Sequence, residues 1–443
     1  MPPAMGIDRD RMLGWYRRNR RRSEALFAMI PDSAYGQRPI SLRNPICFYE
    51  GHIPAFGVNT LWKRALGEPP LNPDYEVLFE RGIDPEAPPE APALHWPSRA
   101  EIAGYGRSAD TALESAFTER PLEVESNPLL RRAQAAYTVL EHEVMHQETL
   151  HYMWRRLPFD GKIKPSDAPA VIVDGGSKDR PKSVRVPAGI ATLGADPEEI
   201  AFGWDNEFPS HRVEVAAFSV DAYNVTNAEF LDFVEAEGYS REELWDAAGW
   251  EWVRSETLTH PPFWDRGAAG WEWLGMFERL PLPPDWPVWV THAEASAYAR
   301  WKGGRLPSEA EYHRAAFGTP EGAERLFPWG SEPADGTRGN FDFQSFEPVP
   351  VGSFPSGASA WGVHDLVGNG WEWTSTVFSG FPGFRPMASY PQYSADFFDG
   401  RHYVMKGASP VTGRELVRRS VRNWFRPNYR HVYASFRCVD AVR

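Results

Sequence analysis

Hydrophobic positions divide the chain into a helical first part and a second part of short extended segments. Up to about residue 160, apolar side chains recur every three to four residues, which is the period of an amphipathic helix. This pattern predicts four helices, over 8–29, 51–66, 109–117 and 129–157. The proline-rich stretch 69–97 is typical of a long ordered loop with little secondary structure. Four helices joined in this way indicate a bundle.

The helical period mostly disappears in the second part. Residues 166–182 are rich in Asp, Ser, Gly, Pro and Lys, which indicates a linker between domains. Short segments separated by Gly, Pro and Asn turns then predict strands over 183–186, 212–220, 349–354 and 402–406. Two helices are predicted over 226–237 and 291–302, each beginning with a threonine suited to cap it. We therefore expect an α+β protein, with a four-helix bundle over 1–165 and a second domain over 183–443.

Composition narrows the class of protein. A chain of 443 residues is too long for one ordinary hydrophobic core. The net charge is −13 and basic residues are scattered, which argues against a nucleic-acid or membrane-surface partner. The one basic run, 17–22, is expected to be a solvated helix face. Two cysteines exclude a disulfide scaffold and, with no signal peptide or long apolar run, predict a cytoplasmic protein without a membrane span.

The pair His142 and His146, in the sequence HEVMH, is the first candidate site. Four residues make about one helical turn, so both imidazoles project from one face and can hold one metal ion. The same pattern is the signature of zincin proteases, in which Glu143 would be the general base. In metzincins a third histidine lies ten residues after the first, and this chain has Tyr152 at that position. His151 falls on the opposite helix face and is expected to be a surface or packing residue.

Six motifs in the second half carry a resemblance to a known domain. They lie at 186–189, 205–211, 225–230, 304–311, 368–373 and 436–438. In this order they resemble the formylglycine-generating-enzyme/sulfatase-modifying-factor domain. The resemblance implies a C-type-lectin-like fold of small twisted sheets, few helices and extensive loops. The domain alone does not determine an activity, because one fold hosts many functions.

The cysteine positions exclude the copper chemistry of formylglycine-generating enzymes. Those enzymes bind copper through two cysteines, one in a Phe-Arg-Cys motif and the other five residues earlier. Here Cys438 occupies the motif and Tyr433 stands at the earlier position. One thiolate cannot make that site, so Cys438 is expected to be a buried structural cysteine.

The combination of both halves resembles the ergothioneine-biosynthetic sulfoxide synthases, also called hercynine oxygenases. In that family a DinB-like bundle precedes the C-type-lectin-like domain, and the resemblance covers essentially the whole chain. It implies a non-haem Fe(II) ion bound by His52, His142 and His146. It also implies the reaction, in which O2 is used to join the sulfur of cysteine to the imidazole ring of hercynine and to oxidise that sulfur.

A charge argument is consistent with three histidine ligands. The ordinary oxygenase site has two histidines and one carboxylate, with open positions for substrate and O2. Replacing the carboxylate with a neutral imidazole removes one negative charge. A substrate thiolate bound to the iron would restore it, and the open positions would suit the thiolate, the substrate imidazole and O2.

The resemblance also implies the substrate site. Tyr390 matches the first tyrosine of the family's Tyr-Pro-x-Tyr segment, expected near the iron as a proton donor to reduced oxygen, and Tyr393 would line the site for the trimethylammonio-histidine. Asn423 and Trp424 match the residues that face hercynine, where an aromatic ring suits a quaternary ammonium through cation–π attraction. By themselves, these aromatic residues would be taken for packing residues.

Two departures from the family bear on the substrates. Relatives that use γ-glutamylcysteine have Asp and Arg where this chain has Phe425 and Tyr429, which favours free cysteine, with Arg426 or Arg430 as partner of its carboxylate. Met145 stands where actinobacterial members have Gln, which keeps open histidine (ovothiol type) as acceptor or a selenosugar (selenoneine type) as donor. An alternative of another class is a non-catalytic lectin-like binding protein with vestigial histidines.

Overall fold

The protein forms two compact units. A computed structural model describes residues 7–80, 96–176 and 181–441. The first unit consists of Met1–Asp167 with Met387–Tyr390, and the second of Ala168–Pro386 with Pro391–Arg443. The first is helical and the second combines short helices with small sheets, so the predicted α+β class is confirmed. No helix among the described residues combines the length and apolar content that crossing a bilayer requires.

Helices build the first unit. Its α-helices within the described residues are α1 Arg9–Ala28, α2 Ile46–Gly57, α3 Pro73–Leu78, α4 Arg99–Glu119 and α5 Gln134–Arg156. The chain continues from α2 into a π-helical stretch, Val58–Ala65, after which the N–H of Leu66 donates to the carbonyl of Leu61 at 3.0 Å. Short 3-10 turns lie at Arg131–Ala133 and Phe159–Gly161.

The largest differences from the prediction concern α4 and α3, because their starting signals were missed. α4 begins ten residues before the predicted 109, where Ser98 and Glu101 form a reciprocal capping box. α3 lies inside the proline-rich stretch that we predict as a loop, because Asn72 caps it and Pro73 occupies its first turn. Residues 81–95 of that stretch lie outside the described residues.

The basic run on α1 is not simply a solvated face. Arg17 forms an exposed ion pair with Glu114, as a solvated residue would. Arg20 instead turns inward and contacts Asp110 at 2.7 Å and Glu143 at 2.9 Å. The prediction is therefore wrong for Arg20, whose side chain ties α1 to α4 and α5.

Among the described residues of the second unit, four small sheets form the framework. The strands are β1 Ser183–Val186, β2 Gly189–Leu193, β3 His211–Val215, β4 Phe218–Asp221, β5 Trp264–Gly267, β6 Gly270–Leu274, β7 Arg279–Pro281, β8 Gly370–Val377, β9 Tyr403–Ala408, β10 Asn423–Phe425, β11 Ala434–Ser435 and β12 Val439–Ala441. Their orders in the sheets are β1-β4-β12, β10-β9-β8-β11, β2-β3 and β5-β6-β7. The pair β8–β11 is parallel and the other ladders are antiparallel.

Helices of the second unit lie between these strands. They are α6 Asn227–Glu235, α7 Ala247–Ser255, α8 His292–Trp301, α9 Glu309–Phe317 and α10 Gln392–Ala395. The helices expected after Thr226 and Thr291 are confirmed, and each threonine forms a capping box with the glutamate three residues on. α9 was not predicted, although Ser308 and Glu311 form the same kind of capping box.

The strand predictions are partly confirmed. The strand over 183–186 is present, 402–406 corresponds to β9, and 212–220 contains two strands, β3 and β4. The predicted strand over 349–354 is wrong. There the N–H of Val349 donates to the side chain of Asn369 at 2.8 Å, and the N–H of Gly352 donates to Asp365 at 2.6 Å. These side chains take up backbone donors that a neighbouring strand would otherwise bind.

Cys438 is buried in the second unit, as predicted. Burial, with the nearby charge of Asp221, raises the pKa of its thiol well above the usual value. Tyr433, at the position of the earlier copper cysteine of formylglycine-generating enzymes, stacks on Trp289 with ring centroids 4.2 Å apart. The position is thus filled by a packed aromatic ring.

Candidate active site

Three histidines of the first unit converge on one point. His142 and His146 project from one face of α5, and their Nε2 atoms are 3.1 Å apart. The ring of His52, from α2, lies 5.1 Å from that of His142 and 4.9 Å from that of His146, between centroids. One ring nitrogen from each histidine lies within 4.8 Å of the other two. Donor atoms about 2.1 Å from a shared ion at right angles are separated by about 3 Å, so this spacing fits one metal ion.

The protonation of these histidines also suits a metal. Nδ1–H of His52 donates to the carbonyl oxygen of Phe79 at 2.7 Å, which leaves the lone pair on the buried Nε2. That Nε2 has no hydrogen-bond partner among the described residues. Burial lowers the pKa of His52 to about 4, and lowers those of His142 and His146 well below the usual value. Neutral imidazoles are the form that binds metal ions, so the three residues fit a divalent cation.

Phe79 is a site residue that the sequence analysis missed. It follows α3 directly, and its carbonyl orients His52 while its ring packs against α2. Gly51 makes room for that ring, since a Cβ atom at this position would lie 2.5 Å from it. α3 is held in turn by Glu76, which contacts Lys63 at 2.8 Å and accepts, through its carbonyl, a hydrogen bond from Asn59. The available signal was the glycine before His52; a backbone carbonyl has no sequence signal.

Glu143 does not face the three histidines as a metalloprotease base would. Its Oε1 accepts hydrogen bonds from Ser23 at 2.6 Å and from Arg20 at 2.9 Å, both on α1. The side chain of Glu143 is buried. His151 is also buried, which makes it a packing residue and not a surface one. Glu143, which would be the general base of a zincin protease, is engaged in an ion pair and is not available for that role.

Tyr390 lies beside the three histidines. It belongs to the short segment Met387–Tyr390 of the first unit. Its ring centroid is 6.4 Å from that of His142 and 5.4 Å from that of Phe56. Phe56, which the sequence analysis also missed, stacks on His142 at 3.5 Å with the rings nearly parallel. The structure thus brings four of the predicted site residues together: His52, His142, His146 and Tyr390.

Tyr393, Asn423 and Trp424 lie in the second unit. Tyr393 stacks on Trp204 at 3.9 Å and meets Trp424 edge-on at 5.3 Å, between ring centroids. Trp424 stacks on Phe378 at 4.1 Å, and Oδ1 of Asn423 accepts the N–H of Trp424. Tyr393 and Trp424 are half-buried, so part of their surface remains accessible, whereas Trp204 and Phe378 are buried. The predicted residues therefore belong to one aromatic cluster.

The predicted carboxylate partners differ in exposure. Arg426 is exposed and Arg430 is half-buried. The neighbouring Phe425 and Tyr429 stack on each other with ring centroids 4.4 Å apart. The two positions at which the family's γ-glutamylcysteine users carry charged groups are therefore paired as aromatic rings.

Two family profiles match the chain. Residues 170–442 match the Sulfatase-modifying factor enzyme 1-like domain. Residues 16–150 match the DinB superfamily. The predicted order of a DinB-like bundle and a formylglycine-generating-enzyme-type domain is confirmed by these matches.

Similar proteins carry the name of one enzyme activity or its pathway. The chain is 34% identical over 390 residues to hercynine oxygenase of Mycolicibacterium thermoresistibile, covering 85% of this chain and 83% of that protein. It is 39% identical over 247 residues to hercynine oxygenase of Mycobacterium tuberculosis, covering 55% of this chain and 57% of that protein. It is 29% identical over 497 aligned positions to Ergothioneine biosynthesis protein 1 of Neurospora crassa, covering 93% of this chain and 55% of that protein. The chain is therefore an oxygenase enzyme and belongs to the hercynine oxygenase family.

Proposed function

We propose that the protein is an iron(II)- and O2-dependent sulfoxide synthase of ergothioneine biosynthesis. It joins the sulfur of cysteine to the imidazole ring of hercynine. The observation that carries this proposal is the convergence of three neutral imidazoles, of which those of His52 and His142 are buried, with the phenol of Tyr390. The bundle over 1–165, the linker over 166–182 and the domain over 183–443 are proposed as its functional parts.

The overall reaction balances with these components alone. One thiol, one imidazole C–H and one O2 give one sulfoxide and one water, with a new C–S bond and a new S–O bond. An iron(II) ion held by His52, His142 and His146 would supply the redox chemistry that uses O2. The protein's residues then have to bind the substrates, exclude water and supply one proton.

The surroundings of the histidines suit a thiolate substrate. Three neutral imidazoles add no negative charge to a divalent cation, so an anionic sulfur would be bound favourably. Aromatic rings line the histidines: Phe56 stacks on His142, Phe48 stacks on His52 at 5.1 Å, and the ring of Tyr49 lies 5.7 Å from that of His146. Such a wall excludes water and strengthens electrostatic interactions inside it.

Tyr390 is proposed as the acid. Its phenol oxygen would hold the proton delivered to the oxygen atom that leaves as water. The ring position beside His142 and Phe56 supports this role. The hydroxyl of a tyrosine is a proton donor that can serve as a general acid.

The aromatic cluster of the second unit is proposed to bind the acceptor. Trp424 and Tyr393 meet edge to face, and Trp204 stacks on Tyr393. Aromatic faces attract a trimethylammonium group, which supports hercynine over histidine as the acceptor. Asn423 would bind the polar end of this substrate.

The thiol is proposed to be cysteine. Phe425 and Tyr429 stack on each other and supply no charge for a glutamyl arm. Arg426 or Arg430 would pair with the cysteine carboxylate. Met145, next to His146 and half-buried, keeps histidine or a selenosugar as the alternative substrate of the same chemistry.

An aerobic assay with Fe(II) tests the proposal. Hercynine and histidine are crossed against cysteine, γ-glutamylcysteine and a selenosugar, and products are identified by mass. We expect the cysteine–hercynine sulfoxide, one iron per chain, and loss of both in His142→Ala. A protein that binds no iron and forms no adduct would instead be the non-catalytic lectin-like alternative.

A further inference from the structure

Residues Met387–Tyr390, which we call the strap, are joined to the start of α5 by side chains of the bundle. Oγ of Ser389 lies 2.8 Å from Oγ1 of Thr138. The N–H of Ser389 donates to Oε1 of Gln134 at 3.2 Å, and Arg64 donates to the carbonyl of Ser389 at 3.4 Å. Ser389 and Thr138 are both buried, so this polar contact is shielded from water.

The direction of the Thr138–Ser389 hydrogen bond follows from counting protons. The hydroxyl of Thr138 also lies 2.8 Å from the carbonyl of Gln134, which can only accept. Thr138 has one hydroxyl proton and donates it there, so Ser389 must be the donor to Oγ1 of Thr138. Because both groups are buried, removing the hydroxyl of Thr138 would leave the donor of Ser389 without this acceptor.

This contact is in register with the three histidines. Thr138 is four residues before His142, so the two side chains lie one turn apart on the same face of α5. Ser389 directly precedes Tyr390, whose ring lies beside that of His142. A hydrogen bond one turn below the imidazole therefore holds the backbone next to the phenol.

The start of α5 is built in an unusual conformation. Arg132 and Ala133 both have φ of 53°, in the left-handed region that residues with a Cβ atom rarely adopt. They bring the chain to Gln134, the first residue of α5, which accepts from the strap through its side chain and from Thr138 through its carbonyl. Local strain of this kind persists where the surrounding structure requires that geometry.

We infer that Thr138 and Ser389 are positioning residues that hold Tyr390 at its distance from the histidines and so decide the fate of O2. This inference rests on the proposed function. With Tyr390 in place, the thiol, the imidazole and O2 give the sulfoxide and water. With Tyr390 displaced, the thiol and O2 alone give the sulfinic acid, RSH + O2 → RSO2H, and the imidazole is left unchanged.

The test compares Thr138→Val and Ser389→Ala with the wild-type holoenzyme. Thr138→Val keeps the side-chain shape and removes the hydroxyl, and Ser389→Ala is the second variant should the first fail to fold. We expect the ratio of sulfinic acid to sulfoxide to rise about three- to tenfold in both, because small misplacements of a catalytic group cost rate. Iron content should stay at the wild-type level, and Thr138→Ser should restore the ratio.

A second readout uses the metal-free protein. Hydrogen exchange in the peptide containing the strap should be faster in Thr138→Val and Ser389→Ala, and unchanged in Thr138→Ser. Thr111→Val is the matched control, since Thr111 makes the same hydrogen bond to the carbonyl four residues back but is exposed on α4. It should leave both readouts at wild-type values.

The outcomes separate the two proposals. A wild-type enzyme that forms no sulfoxide would contradict the proposed function, and the positioning role with it. If the wild type forms sulfoxide and the product ratio in Thr138→Val and Ser389→Ala equals that of the wild type, only the positioning role is overturned. Loss of iron in these variants would likewise overturn it, because the residues would then be supporting the metal site.

Discussion

The carbonyl oxygen of Phe79 lies 2.7 Å from Nδ1 of His52 and determines which ring nitrogen of that histidine carries the proton. A carbonyl can only accept, so the proton is on Nδ1 and Nε2 is available to a metal. This backbone atom is placed by the packing of the Phe79 ring against Gly51. The geometry of a candidate metal ligand thus depends on a glycine that touches no metal.

Gly51→Ala should weaken metal binding. The added Cβ would lie 2.5 Å from the ring of Phe79, so the ring and its carbonyl must move away from His52. Loss of such a supporting contact typically costs about ten- to a hundredfold in metal affinity, measured here by anaerobic Fe(II) titration. Gly104→Ala is the matched control in α4, where the nearest heavy atom is 3.7 Å away. Equal affinities in both variants would contradict the role of Phe79.

Tyr390→Phe should divert the reaction from sulfoxide to oxidation of the thiol alone. The variant keeps the ring that packs against Phe56 and removes only the proton donor. Iron binding should be unchanged. Product analysis by mass gives the ratio of the two products, and Tyr137→Phe, on α5, serves as the control for loss of a phenol. An unchanged sulfoxide yield would make Tyr390 a packing residue.

The enzyme should prefer cysteine to γ-glutamylcysteine. The glutamyl arm carries an amine and a carboxylate. Phe425 and Tyr429, which stack on each other, offer no charged group to either of them. Burying such charges unpaired costs several kcal/mol, and about 1.4 kcal/mol is a factor of ten. We therefore expect kcat/KM to be at least about a hundredfold higher for cysteine. Comparable values would mean that Arg426 or Arg430 binds the arm.

Glu143→Gln should destabilise the fold without abolishing catalysis. The change removes the more buried of the two carboxylates that contact Arg20, which is 15% exposed and keeps its contact with Asp110, so the free energy of unfolding should fall by about 2 kcal/mol. Activity at permissive temperature should persist, because Glu143 faces α1. Glu114→Gln, which breaks an exposed pair with Arg17, is the control with little effect on stability. Abolished activity in a folded Glu143→Gln protein would restore the metalloprotease-like reading.

Acid should destabilise the second unit through His292. Burial lowers the pKa of His292 to about 3, whereas a histidine in an unfolded chain titrates near about 6.5. Between these values the unfolded chain binds a proton that the folded chain does not. The free energy of unfolding therefore falls as the pH is lowered from about 6.5, by up to about 1.4 kcal/mol per pH unit for this group. The free energy of unfolding, measured by urea titration at several pH values, should depend less on pH in His292→Gln than in the wild type. An equal dependence on pH would contradict this account.

Some features of the site could be predicted from the sequence because they depend on local spacing. His142 and His146 are one turn apart, and any helix through them brings both rings to one face. Thr226 and Thr291 begin helices for an equally local reason, a capping box with a glutamate three residues away. His52 and Tyr390 required a family resemblance, since neither has a local pattern that marks it as part of a site.

Other features depend on contacts that no local pattern shows. The carbonyl of Phe79 acts through its backbone, which every residue has. Ser389 contacts Thr138 across 251 positions of sequence. The inward turn of Arg20 depends on two acidic residues on other helices, so the charge pattern of α1 alone predicted a solvated side chain. Tertiary contacts decided each of these cases.

The strap has a consequence for how the protein can be made and recombined. The first unit includes residues that the ribosome adds more than 200 positions after α5 has been completed. Synthesis proceeds from the N-terminus and domains generally fold as they emerge. Here, however, the bundle must wait for Ser389 and Tyr390 before its contacts are complete. A gene fragment ending at the linker would encode an unfinished bundle, and exchanging it between homologues would require moving the two distant pieces as a matched pair.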